Sequence, residues 1–282
     1  MKITTLVENR PSQDDPALAA EWGLSQHVEI GGRRLLFDMG ASDAFARNAA
    51  RLGVDLGAVD AAIVSHHHYD HGGGLARFLE LNDHAPIYVG ESPGGDPVVK
   101  LLGFVKKAVG LDAALLARHA GRFRVVRERT EAMPGVLLLP RVQGRHARPA
   151  GNRQLFVRKD GRLEPDDFRH ELTVALREGD TLVVLTGCAH SGLLNMVEAA
   201  AAEFPGVPVK AVVGGFHLAS LPPFRGTSER EEVIAAVGRQ VLDLGVGTTW
   251  TGHCTGETAF AVLRESMGAR VAEFRTGTRL EF

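Results

Sequence analysis

The stretch AAIVSHHHYDHGGG, residues 61–74, is the feature that most restricts how this chain can fold. Its first four residues are apolar and typical of a short buried strand, and four histidines and an aspartate follow within six positions. Side chains alternate along an extended segment, so His66 and His68 point to one side and His67 to the other. Asp70 and His71 come where glycines allow a close turn into a helix. This layout of imidazoles and a carboxylate predicts a site for one or two borderline metal ions.

Predicted strands and helices alternate along most of the chain. KITTLVE at residues 2–8 predicts a first strand, and HVEIGGRRLLFDMG predicts a hairpin that turns at its paired glycines. The alternation returns after residue 170, where ELTVALREGDTLVVLTG predicts a second hairpin, LLNMVEAAAAEF a helix and ARVAEF a last strand. This order predicts a layered α/β fold.

Residues 91–150 break this rhythm, and we predict that they form an insertion or cap on the main domain. VVKLLGFVKKAVGLDAALLARHAGRF, residues 98–123, reads as mostly helical, whereas RFRVVRE and GVLLLPRV read as strands. The basic segment at residues 141–153 contains glycine and proline and is typical of an irregular linker.

Composition narrows the function classes. The formal net charge is −2, which gives no general attraction for nucleic acids or membranes. The two cysteines exclude a disulfide framework, and no apolar run approaches the roughly 20 residues of a membrane span. The first residues lack a signal-peptide core. We therefore expect a cytoplasmic protein that acts on a small molecule without nucleic-acid or membrane partners, and leave open a homo-oligomer.

The pattern H-x-H-x-D-H after a strand resembles the signature of the metallo-β-lactamase superfamily. It is formed here by His66, His68, Asp70 and His71. LLFDMG resembles the family's strand that ends in aspartate and glycine, and TWTGHCTG resembles its late histidine motif. The resemblance implies that His253 joins the metal ligands of the first motif and that Asp38 supports them from a buried position, or is itself a ligand.

The same resemblance implies a fold and a domain division. The expected fold class is α/β, a four-layered αββα metallo-β-lactamase sandwich with an inserted small α+β segment. Residues 1–90 and 151–282 would form the metallo-β-lactamase-like domain, and residues 91–150 the insertion, comparable to a ferredoxin-like cap. The metal site would lie at the edge between the two sheets, where strands end.

One part of the chain departs from the family pattern. The superfamily usually has a mid-chain histidine and then a bridging aspartate at a strand end. In TLVVLTGCAH, Cys188 stands at the aspartate position and His190 lies two residues later. Residues at i and i+2 can face the same way, so we expect His190 to complete the metal ligands. Cys188 is either a thiolate ligand or a small core residue, and His170 is a weaker rival of His190.

Three further segments resemble one subgroup of the superfamily: TGCAHSGLLN, VVGGFHLAS and TGHCTG. The archaeal members of that subgroup are dihydropterin-linked ribofuranosylaminobenzene phosphate synthases of the methanopterin pathway. In this pattern His217 lies near the site, where it would hold a phosphate or donate a proton, unless it is a histidine satisfied at a strand end. A basic run either clamps a phosphate or belongs to a solvated linker: Arg141, Arg145, Arg148 and Arg153.

A divalent metal ion lowers the pKa of its bound water to about 7. We therefore expect a metal-dependent hydrolase that uses such a water on a small anionic substrate, for example a phosphoester, with Asp70 and His217 as catalytic residues. The expected cofactor is one or two divalent ions, with zinc preferred and manganese or iron as alternatives. Two other hypotheses stay open: a transferase of the ribofuranosylaminobenzene phosphate synthase type, and a non-catalytic metal- or ligand-binding protein.

Overall fold

The computed structural model describes residues 1–220 and 226–282 of the chain. The strands in these residues are β1 (Lys2–Val7), β2 (Ser25–Ile30), β3 (Arg33–Phe37), β4 (Ala61–Val64), β5 (Ile87–Gly90), β6 (Asp96–Leu101), β7 (Val105–Ala108), β8 (Phe123–Val126), β9 (Thr130–Met133), β10 (Val136–Pro140), β11 (Leu155–Lys159), β12 (Arg162–Pro165), β13 (Leu172–Glu178), β14 (Thr181–Thr186), β15 (Val209–Gly214), β16 (Thr248–Thr251), β17 (Val271–Glu273) and β18 (Arg279–Glu281). The α-helices are α1 (Ala44–Leu52), α2 (Tyr69–Gly72), α3 (Leu75–Leu81), α4 (Ala113–Arg118), α5 (Leu193–Ala202), α6 (Glu231–Asp243) and α7 (Glu257–Met267).

Two seven-stranded sheets form the centre of the fold. The first has the order β18-β1-β2-β3-β4-β5-β8, and the second has the order β17-β16-β15-β14-β13-β10-β9. Strands β3, β4, β5 and β8 run parallel in the first sheet, and strands β14, β15, β16 and β17 run parallel in the second. Each sheet therefore combines an antiparallel part with a parallel part.

The alternation of side chains along the central strands explains how the sheets are covered. In β4, Ile63 packs into the core between the two sheets, whereas Val64 packs against helices α1 and α3. In β14, Val183 faces the same inter-sheet core, whereas Val184 packs against helices α5, α6 and α7. Strands covered on both faces are apolar throughout, as expected for parallel strands buried between layers. The result is the predicted four-layered αββα sandwich.

The predicted hairpin at residues 27–40 is present and turns at its glycine pair. Strands β2 and β3 pair in antiparallel register, with Ile30 opposite Arg33. Gly31 and Gly32 connect them with φ angles of 55° and 75°, which suit a two-residue hairpin turn and favour glycine. This hairpin places Phe37, the last residue of β3, beside Ile63 of β4.

The segment predicted as mostly helical, residues 98–123, divides between extended and helical backbone. Residues 96–108 form the hairpin β6–β7, and only residues 113–118 form the helix α4. The prediction was wrong because the hairpin turns at Leu102 and Gly103, both with positive φ, and because its valines favour extended backbone. The tip of this hairpin is apolar and exposed, and Phe104 has 74% of its surface accessible.

A smaller sheet accompanies the two large ones. A third, four-stranded antiparallel sheet has the order β12-β11-β6-β7, so it includes residues 155–165 as well as 96–108. Within residues 91–150, β8 joins the first large sheet, and β9 and β10 join the second. This added sheet consists of two paired hairpins, β6–β7 and β11–β12.

The helices in the part of the chain that the structure describes are all too short or too polar to cross a membrane.

A substitution at Gly73 tests how closely the turn after the histidine run packs against the loop that follows β3. A Cβ atom at Gly73 would lie 2.3 Å from the carbonyl oxygen of Ala41 and 2.6 Å from that of Tyr69, both rigid backbone atoms. We expect Gly73→Ala to lower the free energy of unfolding by at least about 2 kcal/mol, through overpacking. Urea unfolding followed by circular dichroism measures this. Gly121→Ala is the control because its Cβ meets nothing within 4 Å. Equal stability of both variants would contradict the packing described.

Candidate metal centre

The loops that build the site all follow the carboxyl ends of parallel strands. In the first sheet, Asp38 follows β3, and His66 and His68 follow β4. In the second sheet, Cys188 and His190 follow β14, His217 follows β15 and His253 follows β16. Because the two sheets pack face to face, these strand ends meet at one edge of the sandwich.

Strained backbone conformations are concentrated in these loops. Asp38, Ala189, His217 and His253 have φ angles between 49° and 58°, in the left-handed region that non-glycine residues rarely adopt. Such conformations persist where surrounding contacts enforce them, and they are common at functional sites. The strain orients the side chains of these loops toward a common point.

The first group of converging side chains consists of His66, His68 and His190. One potential ligand atom from each lies within 4.8 Å of the others, and all three residues are buried. His66 Nε2 is 3.0 Å from His68 Nδ1, and the imidazole centroids of His66 and His190 are 4.9 Å apart. Three imidazoles at this spacing form one face of a metal coordination sphere.

The second group lies beside the first and has mixed ligand atoms. His71 Nε2 is 3.2 Å from both His253 Nε2 and Cys188 Sγ. An oxygen of Asp70, Oδ2, lies 3.5 Å from His253 Nε2 and 4.0 Å from His71 Nε2. The structure thus brings together a carboxylate, two imidazoles and a thiol, and it places Cys188 among the candidate ligands rather than in the hydrophobic core.

Protein groups hold the outer nitrogen of most of these histidines. His71 Nδ1 is 2.6 Å from Asp38 Oδ2, and His66 Nδ1 is 2.9 Å from the hydroxyl of Ser65. Amide oxygens take the same place at the other two: Asn152 Oδ1 lies 2.8 Å from His190 Nδ1, and Asn9 Oδ1 lies 2.9 Å from His253 Nδ1. An Nδ1–H that donates outward leaves the Nε2 lone pair directed inward.

The inward lone pairs fit a cation. His66 Nε2 and His68 Nδ1 lie 3.0 Å apart, and where both present lone pairs a cation between them removes the repulsion. Burial lowers the pKa of His66, His68 and His190 well below its usual value, and that of His253 to about 3, so these rings stay neutral. Neutral imidazoles are the form that binds metals.

His71 is the exception among these rings. Burial alone would lower its pKa, but the carboxylates of Asp38 and Asp70 raise it to about 9. Asp38 is fully buried, and burial raises the pKa of its carboxyl. The carboxylate accepts hydrogen bonds from the backbone N–H and the hydroxyl of Ser65 as well as from His71, so its lone pairs are well satisfied. Asp38 therefore holds the His71 ring and the Ser65 hydroxyl, and both of its carboxylate oxygens are engaged by these contacts.

A cavity of about 290 Å³ opens onto both groups. His217 lines it, is 4% exposed and has a ring centroid 4.3 Å from that of His190. Among the described residues, His217 Nε2 has no hydrogen-bond partner; it is buried, and a Cβ atom at Gly151 would lie 2.9 Å from it. The opposite wall comes from the added sheet and its flanks and is apolar apart from one amine: Val99, Leu101, Lys107, Val109 and Leu155.

Two sets of predicted residues lie outside the ligand groups. His170 is buried behind His68; its Nδ1 accepts the backbone N–H of His67, and its Nε2 is 3.1 Å from Asp166 Oδ2. Both nitrogens of His170 are therefore used by the protein. The basic run is dispersed: Arg141 pairs with Glu91, Arg145 with Glu198, Arg148 contacts the carbonyl oxygen of Asp167, and Arg153 is exposed.

Several residues of the site escaped the sequence prediction. Asn9 and Asn152 orient His253 and His190 from positions 244 and 38 residues away along the chain. Trp22 donates its indole N–H to Asp70 Oδ2 at 2.9 Å, and Glu171 accepts the backbone N–H groups of His190 and Ser191. Glu171 lies next to His170, which the sequence had marked as a candidate ligand. Single asparagines in loops, such as Asn9 and Asn152, belong to no recognisable sequence pattern.

Comparisons with known proteins agree with this architecture. The family model of the metallo-beta-lactamase superfamily matches residues 27–94. The 7,8-dihydropterin-6-methyl-4-(beta-D-ribofuranosyl)-aminobenzene-5'-phosphate synthase of Methanocaldococcus jannaschii is 27% identical, and the match covers 100% of this chain and 97% of the relative.

Solved structures extend the match to the whole fold. The crystal structure of Tm1679, a metal-dependent hydrolase of the beta-lactamase superfamily, is 29% identical and has a TM-score of 0.80 over 100% of this chain and 99% of Tm1679. A diphosphatase from the PhnP family has a TM-score of 0.53 at 15% identity, over 100% of this chain and 97% of the diphosphatase, and shares the fold alone. Residues 27–94 of this chain therefore match the metallo-beta-lactamase superfamily, and its full length resembles a synthase in sequence and a hydrolase of that superfamily in structure.

Proposed function

We propose that this protein is a metal-dependent hydrolase that acts on a small anionic substrate, with a phosphoester as the first candidate. The observation that supports this most directly is the pair of adjacent groups, His66/His68/His190 and Asp70/His71/Cys188/His253. Each group contributes two residues to the lining of one cavity: His68 and His190 from the first, Asp70 and Cys188 from the second. Two neighbouring groups favour a centre with two metal ions, although Cys188 replaces the usual bridging carboxylate. Bound divalent ions in such a centre polarise an electrophile, neutralise developing negative charge and make water acidic.

The chain's own residues supply orientation and proton transfer. Asp70 is held by the indole of Trp22, so its carboxylate keeps a fixed direction at the edge of the second group. His217 lines the cavity from a strained backbone position, and its buried Nε2 has no hydrogen-bond partner among the described residues. We assign to His217 the donation of a proton to the leaving group, a role worth about 10²–10⁴ in rate for a well-placed acid.

The cavity supports a substrate with an anionic end and an apolar or aromatic body. The histidine-rich floor would receive the anion, while the side chains of Val99, Val109 and Leu155 present an apolar surface opposite. Lys107 lines the same cavity, with its Nζ 5.6 Å from the ring centroid of Tyr69. Mostly apolar walls with a few placed polar groups are typical of small-molecule sites.

A synthase activity is the second candidate. It is favoured by the 27% identity to the archaeal aminobenzene phosphate synthase, which extends over 97% of that protein. In such a reaction, the same centre would neutralise a leaving diphosphate instead of directing water to a phosphorus atom. Incubation with a dihydropterin diphosphate and an arylamine phosphate separates the two candidates. Diphosphate release that depends on the amine supports the synthase, whereas release without the amine supports the hydrolase.

The proposed hydrolase is tested by metal analysis combined with a substrate panel. Protein purified without oxygen would be analysed for metal content, and anomalous scattering from crystals would place each ion. Turnover would then be measured on phosphomonoesters, phosphodiesters and carboxylic esters with zinc, manganese or iron restored. Stoichiometric metal with turnover of a phosphoester supports the proposal. Stoichiometric metal without turnover of any ester supports a non-catalytic binding protein.

The three-histidine group is tested by His68→Ala. We expect this variant to lose the metal ion bound by that group and all measurable turnover, while its far-ultraviolet circular dichroism stays that of the wild type. The reason is that the loss of one imidazole leaves two ligands in a buried site. His84→Ala is the matched control because His84 is on the surface, with 58% of its side chain exposed. Wild-type metal content and activity in His68→Ala would reject the assignment.

The role of His217 is tested by His217→Gln. We expect kcat to fall by about 10²–10⁴, the usual contribution of a general acid, while the metal content stays unchanged. Metal content is measured by mass spectrometry and kcat by steady-state kinetics, with His84→Gln as the surface control. A kcat within a factor of two of the wild type would show that His217 does not transfer the proton.

A further inference from the structure

Cys254 is a buried thiol at the metal centre that neither ligand group uses. It follows His253 directly, is 3% exposed and lines the same cavity as Cys188. The chain has only two cysteines, and the fold brings both to this point from positions 66 residues apart. Both thiols are free.

The surroundings of Cys254 fix the position of its sulfur. The backbone N–H of His217 donates to Cys254 Sγ at 3.2 Å, and the sulfur lies 4.0 Å from the carbonyl oxygen of Cys188. A Cβ atom at Gly215 would lie only 2.6 Å from Cys254 Sγ, so any larger residue there would displace the sulfur. Backbone on two sides thus holds the thiol at the cavity surface.

The sulfur lies within reach of an ion shared with the second group. One ligand atom each from Cys188, His253 and Cys254 lies within 4.8 Å of the other two. The only ligand atom of a cysteine is its Sγ, so the two sulfurs, Cys188 Sγ and Cys254 Sγ, lie within 4.8 Å of each other. Two thiolates and an imidazole at this spacing match the donor sets of tetrahedral zinc sites.

We propose that Cys254 is a metal ligand and that it binds the same ion as Cys188 and His253. The proposal rests on the metal centre proposed above and specifies the ion that its second group prefers. Two sulfur donors select soft or borderline ions, such as zinc, cobalt or cadmium, over magnesium and manganese. A small substrate would then meet an oxygen- and sulfur-bound ion on one side and a histidine-bound ion on the other.

Cobalt(II) provides a test that does not depend on turnover. Thiolate coordination to cobalt gives charge-transfer absorption in the near ultraviolet, with an intensity that grows with the number of sulfur ligands. The metal-free full chain would be titrated with cobalt(II) for the wild type, Cys188→Ser, Cys254→Ser and the double variant. We expect each single variant to retain about half of the wild-type band and the double variant to have none. Circular dichroism and a Cys254→Ala variant check that packing is preserved.

The outcomes separate this proposal from the metal centre itself. A wild-type band that Cys254→Ser leaves unchanged, with cobalt still bound, overturns the role of Cys254 and leaves the centre intact. Cobalt bound without any charge-transfer band in the wild type shows that neither sulfur is a ligand. No cobalt bound at all contradicts the metal centre. Halving of the band in Cys254→Ser, together with weaker cadmium binding in a chelator competition, supports the two-sulfur position.

Discussion

The buried carboxylate of Asp38 is the interaction on which the rest of the site depends. It accepts the backbone N–H and the hydroxyl of Ser65 at 2.7 and 2.8 Å, and His71 Nδ1 lies 2.6 Å away. One side chain therefore joins the end of β3, the end of β4 and the helical turn α2. An uncompensated charge at zero exposure would be costly, and these three contacts offset that cost only while all three segments stay in place.

The contacts of Asp38 extend to the other histidines of the site. The Ser65 hydroxyl that is bound to Asp38 also contacts His66 Nδ1, so the first ligand group is connected to the same carboxylate. The second sheet adds His190 and His253, whose rings are oriented by amide oxygens. The orienting groups thus combine a carboxylate on one ligand with neutral partners on the others, and this combination tunes the basicity of each imidazole differently.

Much of the fold and of the site could be predicted because local sequence carries their physics. The histidine run after an apolar strand predicted that His66, His68 and His71 lie together, and the family resemblance and the spacing in TGCAH added His253 and His190. The structure places these side chains close to one another, and their role as metal ligands stays a prediction. The added sheet could not be predicted, because its two hairpins are joined by the pairing of β6 with β11, whose residues Val99 and Leu155 lie 56 positions apart along the chain. Strand β18 pairs with β1 across nearly the whole chain, and Asn9 reaches His253 the same way. Such contacts depend on tertiary packing, which no local pattern encodes.

The added sheet bears on how proteins with this fold can evolve new substrates. Its side chains form the apolar wall of the cavity, while the ion-binding side chains all come from the two large sheets and their loops. Under the proposed function, substrate contacts and candidate metal ligands would thus come from separate parts of the fold. Replacement of a hairpin tip such as residues 101–105 would alter which molecules enter without disturbing the ligands, so descendants of this scaffold can acquire new substrates while they inherit an intact reaction centre.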